Sequence, residues 1–162
     1  QGPCGERELV PVEHKLGSRR GLSSSAMGTP DESAAAVGAA MFGRDRASQA
    51  LGMALEEVRP GYARVRMTVR ADMLNGHGSC HGGLVFALAD SAFAFACNSR
   101  GVRTVAAGCA IEFLAPAVEG DVLVAEAQER SLQGRTGVYD ADVRREGGEL
   151  VATFRGRSAA TR

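Results

Sequence analysis

The stretch from Asn75 to Ser99, NGHGSCHGGLVFALADSAFAFACNS, constrains the fold of this chain more than any other part of it. It opens with glycines and histidines and then becomes a proline-free apolar run of good or tolerable helix formers. This change predicts one helix that begins near His81–Gly83 and reaches Cys97. Apolar side chains fall on every side of that helix, which is typical of a buried helix. The run is too short and too interrupted to span a bilayer.

Asp90 is the one charged residue of this helix. The residues three and four positions away from it on a helix are all apolar: Phe86, Ala87, Phe93 and Ala94. A carboxylate in such surroundings is costly to bury, and its pKa should be raised. Two interpretations follow, a structural acid satisfied by a backbone amide or an arginine, and a functional acid.

The start of the helix, His81-Gly82-Gly83, is the second feature of interest. The first N–H groups of a helix have no intrahelical acceptor, and the helix dipole favours negative charge there. Such an end can stabilise an oxyanion. The alternative is that the glycines only form a tight turn.

These residues resemble the PaaI-type hotdog-fold thioesterases of phenylacetate degradation. The resemblance extends over about residues 41–158 and is carried by NGHGSCHGG, LADSAFAFACNS, IEFLAP (Ile111–Pro116), GD (Gly120–Asp121), TGVYD (Thr136–Asp140) and FRGRS (Phe154–Ser158). It implies that Asp90 is the nucleophile or general base acting on an acyl-CoA thioester. It also implies that the backbone N–H of Gly82 polarises the thioester carbonyl, and that chains form homodimers with shared active sites, commonly paired into a homotetramer.

Alternating and glycine-bounded segments predict the remaining elements. Thr29-Pro30-Asp31-Glu32 has capping-box spacing and predicts a helix from about Pro30 to Leu51. The strands are predicted at Leu55–Arg59, Arg64–Arg70, Thr104–Phe113, Asp121–Leu132, Thr136–Arg145 and Glu149–Ala159. Short links that carry glycine suggest that consecutive strands are antiparallel neighbours. The fold class is therefore α+β, an antiparallel sheet of five to six strands wrapped around one long helix, in agreement with the hotdog fold.

Composition excludes several classes of protein. The 19 basic and 19 acidic residues cancel, so no net field favours nucleic acid or an anionic membrane. The four cysteines lack CxxC spacing and are interpreted as reduced core thiols of a cytoplasmic protein. Residues 1–28 lack periodicity and are expected to be a disordered or added leader, with a single domain over 29–162.

His77, Cys80 and His81 raise the possibility of a metal site. Zinc needs three or four convergent ligands, and no second pair of ligands stands elsewhere in the predicted domain, so no metal is expected. His81 is instead expected to orient the glycine turn and His77 to lie near the thioester. The candidate substrate-binding residues around the catalytic Asp90, Gly82 and His81 are Asn75, His77, Gly83, Ser91, Arg155 and Arg157.

Arg155 and Arg157 alternate onto one face of the last predicted strand. They either contact the phosphates of coenzyme A or form a solvated sheet face. Arg100 and Arg103, just after the central helix, are rival phosphate contacts. The resemblance aligns Arg44 with a position that some relatives fill with asparagine beside the thioester. Because Arg44 departs from that pattern, three alternatives stay open: a role for Arg44, a role for the adjacent Asp45, or a role for neither.

The sequence thus predicts an acyl-CoA thioesterase with preference for an aryl-acetyl or similar medium acyl group. No metal or organic cofactor is required, because coenzyme A is part of the substrate. A hydratase or dehydratase on the same fold would need a catalytic histidine paired with the acid, and none follows the central helix. A non-catalytic acyl-CoA binding protein would have no use for the buried Asp90.

Overall fold

The computed structural model describes residues 28–161 and comprises three α-helices and six β-strands within that range. The leader predicted over residues 1–28 lies outside the described residues except for Gly28. In chain order the elements are α1 (Pro30–Phe42), α2 (Arg46–Ala50), β1 (Ala54–Arg59), β2 (Tyr62–Thr68), α3 (Gly82–Asn98), β3 (Thr104–Phe113), β4 (Val122–Gln133), β5 (Thr136–Arg145) and β6 (Leu150–Ala160).

The first helical region differs from the prediction. Thr29 caps α1 in a capping box with Glu32, as the spacing indicated. The predicted continuous helix over Pro30–Leu51 is wrong, however, because it breaks after Phe42 and restarts at Arg46. The physical reason is a second N-cap, in which the Asp45 carboxylate accepts a hydrogen bond from the backbone N–H of Ser48.

The six strands form one antiparallel sheet in the order β1-β2-β4-β5-β6-β3. The hairpins β1–β2, β4–β5 and β5–β6 agree with the short links read from the sequence. The expectation that β3 and β4 are neighbours is wrong. The chain crosses over between them, so that β4 pairs with β2 while β3 pairs with β6 at the edge of the sheet. A short link containing proline and glycine therefore does not by itself make a hairpin.

The sheet curls around α3, which contacts all six strands. Phe93 of α3 is fully buried and meets the rings of Tyr139 and Phe154 at 5.5 and 5.7 Å between centroids. The ring of Phe93 also lies where Gly156 leaves room, since a Cβ there would come within 2.9 Å of the ring. Aromatic packing of this kind fixes the helix against the sheet. The predicted α+β hotdog architecture is confirmed.

The prediction that α3 is buried on every side holds for only part of its surface. Within a single chain one stripe of the helix is half-buried, and it is formed by Phe86, Ala87, Asp90, Ser91 and Ala94. The edge strand β3 is also open, with Val105 47% and Phe113 54% exposed. An apolar helix stripe and an apolar edge strand are thus both uncovered in the isolated chain.

The thiols only partly follow the prediction of core cysteines. Cys80 and Cys97 are buried, whereas Cys109 on β3 is exposed in the single chain. Cys4 lies outside the described residues. In the described range, no helix is both long and apolar enough to cross a membrane.

Candidate active site

The loop before α3 is held by the side chain of Asn75. Its Oδ1 accepts hydrogen bonds from the backbone N–H groups of His77 (2.9 Å) and Ser79 (3.3 Å), and its Nδ2 donates to Ser79 Oγ at 3.1 Å. The loop then joins the rest of the molecule, because His81 donates its N–H to the Met73 carbonyl at 2.9 Å. Asn75 therefore orders the loop that delivers the start of α3, a task the sequence did not reveal. His77 is exposed on this loop.

His81 is the N-cap of α3. Its Nδ1 accepts a hydrogen bond from the backbone N–H of Gly83 at 3.0 Å, so Nδ1 is unprotonated and the neutral ring carries its proton on Nε2. The expectation that Gly83 offers a free N–H is therefore corrected, since the imidazole already uses it. His81 orients the glycine turn, in line with the expectation for this residue.

Gly82 retains the free donor at this helix end. It is the first residue of α3, so its N–H has no intrahelical acceptor, and no group among residues 28–161 accepts from it. The ring of Phe113 packs over Gly82, and a Cβ there would lie 3.1 Å from the ring. A cavity of about 310 Å³ opens beside it, lined in part by Val85, Phe113 and Val151. Gly82 thus lines a small cavity formed mostly by apolar residues.

Asp90 lies in the middle of α3, on the half-buried stripe. Burial raises the pKa of its carboxyl group above the usual value, and the thiol of Cys109, 3.9 Å from Oδ1, offsets this only in part. The predicted direction of the shift is confirmed. Among residues 28–161, neither a backbone amide nor an arginine is hydrogen-bonded to Asp90. The interpretation of Asp90 as a structural acid required such a partner, so the structure does not support it.

Ser91, one of the candidate substrate-binding residues, follows Asp90 on α3. Its hydroxyl lies 3.0 Å from the hydroxyl of Ser48 on α2. Ser48 is buried and also hydrogen-bonded to Asp45. The spacing of Asp45 and Ser48 is that of an N-cap, and it was the available sequence signal for this contact.

The arginines are placed differently from one another. Arg155 forms a two-bond ion pair with Asp140, at 2.6 and 3.0 Å, on the outer face of the sheet. Arg157 donates to the carbonyl of Ala107, where β3 bulges. Arg100 is paired with Glu129 through two hydrogen bonds.

Arg103, the remaining rival, lines a different cavity. This cavity of about 530 Å³ lies between α1 and the start of β3 and is lined by Arg44 and Arg103 but by no carboxylate. By contrast, the cavity beside Arg155 also contains Glu112, Asp140 and Asp142. An anion is therefore better matched to the cavity with Arg44 and Arg103.

No metal centre is formed by the described residues. Within 28–161, no three His, Cys, Asp or Glu side chains converge closely enough to hold a metal ion. His77 is turned to solvent while Cys80 is buried, so the H-x-x-C-H pattern does not bring its side chains together.

A free helix-terminal N–H beside an apolar cavity and a poorly solvated carboxylate on the same central helix are the features of a hotdog-fold thioesterase. Comparisons with known proteins agree. Residues 77–152 match the thioesterase superfamily. The acyl-coenzyme A thioesterase PaaI of Escherichia coli (strain K12) is 50% identical over 119 residues, which cover 74% of this chain and 85% of that protein.

Solved structures give the same result. The structure of the E. coli PaaI protein from the phenylacetic acid degradation operon matches with a TM-score of 0.82 and 46% identity, covering 83% of this chain and 97% of that one. A variant of the phenylacetic acid degradation protein PaaI from Thermus thermophilus matches with a TM-score of 0.70 and 43% identity, covering 72% of this chain and 100% of that one. The chain belongs to the PaaI family of acyl-CoA thioesterases, as its motifs predicted.

Proposed function

We propose that this protein hydrolyses phenylacetyl-CoA, hydroxyphenylacetyl-CoA or a closely similar thioester to the free acid and coenzyme A, in aromatic catabolism. The observation that carries the proposal is that one helix holds both the free Gly82 N–H and the poorly solvated Asp90, whose one hydrogen-bond partner among residues 28–161 is the thiol of Cys109. The cavity beside Gly82 has a volume of about 310 Å³, is lined mostly by apolar residues, and suits a small aromatic acyl group. The relatives named for phenylacetic acid degradation support the same substrate class.

In the proposed reaction, the Gly82 N–H donates to the thioester carbonyl oxygen and stabilises the negative charge that develops on it. Asp90 either attacks the carbonyl carbon or removes a proton from the water that does. Its raised pKa makes the carboxylate more basic, which favours both roles. The chemistry needs no metal or bound cofactor, since the acid, the donor and water supply each step.

Gly82 and Asp90 of one chain cannot serve the same carbonyl. They are eight residues apart on α3, which at about 1.5 Å per residue separates them by roughly 12 Å along the axis. Reacting groups must approach to about 3 Å. We propose that two chains pair across a two-fold axis, so that Gly82 of one copy faces Asp90 of the other and each dimer holds two shared sites.

Two surfaces support this dimer. The strand β3 is a ten-residue edge with exposed apolar side chains, the kind of edge that pairs with another strand. The half-buried stripe of α3, which includes Asp90, is also available to a partner. A homotetramer of two such dimers is proposed from the family resemblance alone.

The coenzyme A phosphates are proposed to bind Arg44 and Arg103, because their cavity has two guanidinium groups and no carboxylate. Arg155 and Arg157 contact the coenzyme A phosphates, as predicted, only if the partner chain brings the nucleotide end of coenzyme A to the outer face of the sheet. A reducing, cytoplasmic location is proposed from the free thiols of Cys80, Cys97 and Cys109.

Mixing two inactive variants tests the shared site. Asp90→Asn lacks the carboxylate, and Gly82→Pro lacks the N–H donor. After subunit exchange, half of the dimers are mixed and each holds one intact site, so thiol release from phenylacetyl-CoA should return to about one quarter of the wild-type rate. If exchange is demonstrated by mass spectrometry and no activity returns, each chain builds its own site and the proposed dimer is wrong.

A further inference from the structure

Three side chains connect α2 to the central helix beside Asp90. The hydroxyl of Ser48 lies 2.6 Å from Oδ2 of Asp45, and the same hydroxyl lies 3.0 Å from that of Ser91. The backbone N–H of Ser48 also donates to Asp45 Oδ1 at 3.0 Å. Ser48 is only 2% exposed, so water does not compete at the middle of this hydrogen-bond chain.

The direction of each hydrogen bond in this chain follows from chemistry. An ionised carboxylate can only accept, so Ser48 donates its single hydroxyl proton to Asp45. Ser48 therefore has no proton left for Ser91, and Ser91 must be the donor of the pair. The proton of Ser91 is thus directed to Ser48, and the two lone pairs of the Ser91 oxygen can only accept. Among residues 28–161, no other group is hydrogen-bonded to the Ser91 hydroxyl.

Ser91 is the immediate neighbour of Asp90, about 100° further around the same helix. Both residues lie on the half-buried stripe. A single water molecule between them can donate one hydrogen to the Asp90 carboxylate and the other to the oxygen of Ser91. With both hydrogens engaged, the lone pair of that water is free to point at a thioester carbonyl.

We propose that Asp45 and Ser48 are positioning residues that hold Ser91 as a hydrogen-bond acceptor for the hydrolytic water, and that Asp90 acts as the general base. The inference rests on the proposed function and refines it, since the role of Asp90 was left open there. The water transfers one proton to Asp90 as its oxygen bonds to the carbonyl carbon. The C–S bond then breaks, and the departing thiolate of coenzyme A takes the proton from Asp90, which leaves the carboxylate as it began.

Asp45→Asn is the most informative variant, because it keeps the helix cap but reverses the hydrogen-bond chain. The backbone N–H of Ser48 holds the amide oxygen of the new side chain, which turns the amide NH₂ towards the Ser48 hydroxyl. Ser48 then accepts from the amide and donates to Ser91, so that Ser91 presents one lone pair and its own free proton to the water instead of two lone pairs. Asn is as good an N-cap as Asp, so the melting temperature should change little.

The expected result is a fall in kcat for phenylacetyl-CoA on the order of tenfold, the scale of one lost hydrogen bond to a reacting group, with KM within about twofold. Ser91→Ala should lower kcat similarly. The effect of Asp45→Asn should vanish in the Ser91→Ala background, because it acts only through Ser91. A separate cycle with Ser48→Ala and Ser91→Ala tests the same coupling without any change at the helix cap.

Two results would overturn the inference. One is turnover of Asp45→Asn at the wild-type rate. The other is a loss that persists in full when Ser91 is replaced by alanine, which is the behaviour of a purely structural cap. Two other results would instead contradict the proposed function itself. They are wild-type protein that releases no thiol, and an Asp90→Asn variant that stays active.

Discussion

The first turn of α3 and its middle turn contribute opposite kinds of chemistry to one helix. The first turn acts through the backbone, with a glycine N–H left free and its neighbour Gly83 capped by His81. The middle turn acts through one side chain, the carboxylate of Asp90, whose pKa is raised by burial. In the proposed mechanism, the first is an electrophilic donor beside a cavity lined mostly by apolar residues, and the second is a base on a stripe that a partner chain can cover.

In that mechanism neither half of the helix is sufficient alone. The donor needs the ordered loop that Asn75 holds, and the base needs poor solvation, so the two are built in different surroundings. Their separation along the helix exceeds the reach of one carbonyl group. A two-fold dimer would convert this separation into two complete sites.

Replacing the base should have the largest effect. Asp90→Asn keeps the shape of the side chain but can neither attack nor accept a proton. We expect kcat for phenylacetyl-CoA to fall by a factor on the order of a hundred or more, with KM little changed. Asp72→Asn is the matched control, since Asp72 is exposed and paired only with Arg70. Equal activity of the two variants would remove Asp90 from the mechanism.

Removing the backbone donor should come next. Gly82→Pro deletes the N–H, and a loss of kcat on the order of a hundredfold is the scale for one oxyanion donor. Gly82→Ala is the control, because it adds a similar clash with Phe113 while keeping the N–H. Thiol release should be much higher in the alanine variant. If the two variants lose activity equally, crowding of Phe113 is the cause and the donor is not.

The pH dependence distinguishes the two turns, since only the middle one contains an acid. Asp90 must be ionised to act, so kcat/KM should fall about tenfold per pH unit below its pKa, and this limb should lie above the ordinary carboxyl value of about 3.9. A limb at or below that value would contradict the raised pKa.

The raised pKa of Asp90 makes the folded protein more stable at low pH, whereas it makes the enzyme less active there. A raised folded-state pKa stabilises the fold fully below the pKa of the unfolded chain, and this contribution is lost as pH rises through the folded-state value. The melting temperature of Asp90→Asn should therefore equal that of the wild type in acid and exceed it by a few degrees at neutral pH. Calorimetry across this pH range measures the difference in melting temperature between the two proteins.

Loosening the first turn should have a smaller effect. His81→Ala removes the acceptor of the Gly83 N–H, and the loss of such a cap typically costs about 1 kcal/mol. We expect a several-fold fall in kcat and a lower melting temperature. His81→Asn supplies another capping acceptor and should recover most of both. If asparagine restores the melting temperature but not kcat, the imidazole itself takes part in the reaction.

Deleting the leader should have the smallest effect. Removal of residues 1–26, so that the chain starts at Met27, should leave kcat, KM and melting temperature within experimental error, because α1 begins beyond this point with its own cap at Thr29. Limited proteolysis followed by assay of the trimmed protein measures the same property. Loss of turnover or of a cooperative melt would show that the predicted domain boundary is wrong.

Local patterns in the sequence predicted most of the elements. Alternating and glycine-bounded segments located all six strands within a few residues, and the glycine-rich start and apolar run located α3. Asp90 stood out because a carboxylate in an apolar helix is costly unless a partner satisfies it. The sequence missed the break between α1 and α2, where Asp45 is a cap in the middle of helix-forming residues.

Residues close together in the chain were enough to predict most of the elements, the acid and the glycine turn, since each depends on residues within one or two turns of the chain. Only the folded chain shows that β3 lies beside β6, that the imidazole of His81 accepts from the Gly83 N–H, and that Ser48 contacts Ser91. Strand order and the Ser48–Ser91 contact join residues far apart in the chain, and no local periodicity specifies such pairs. The cap at His81 is local, but which ring nitrogen accepts, and so which glycine keeps a free donor, depends on the position in which the folded loop holds the imidazole.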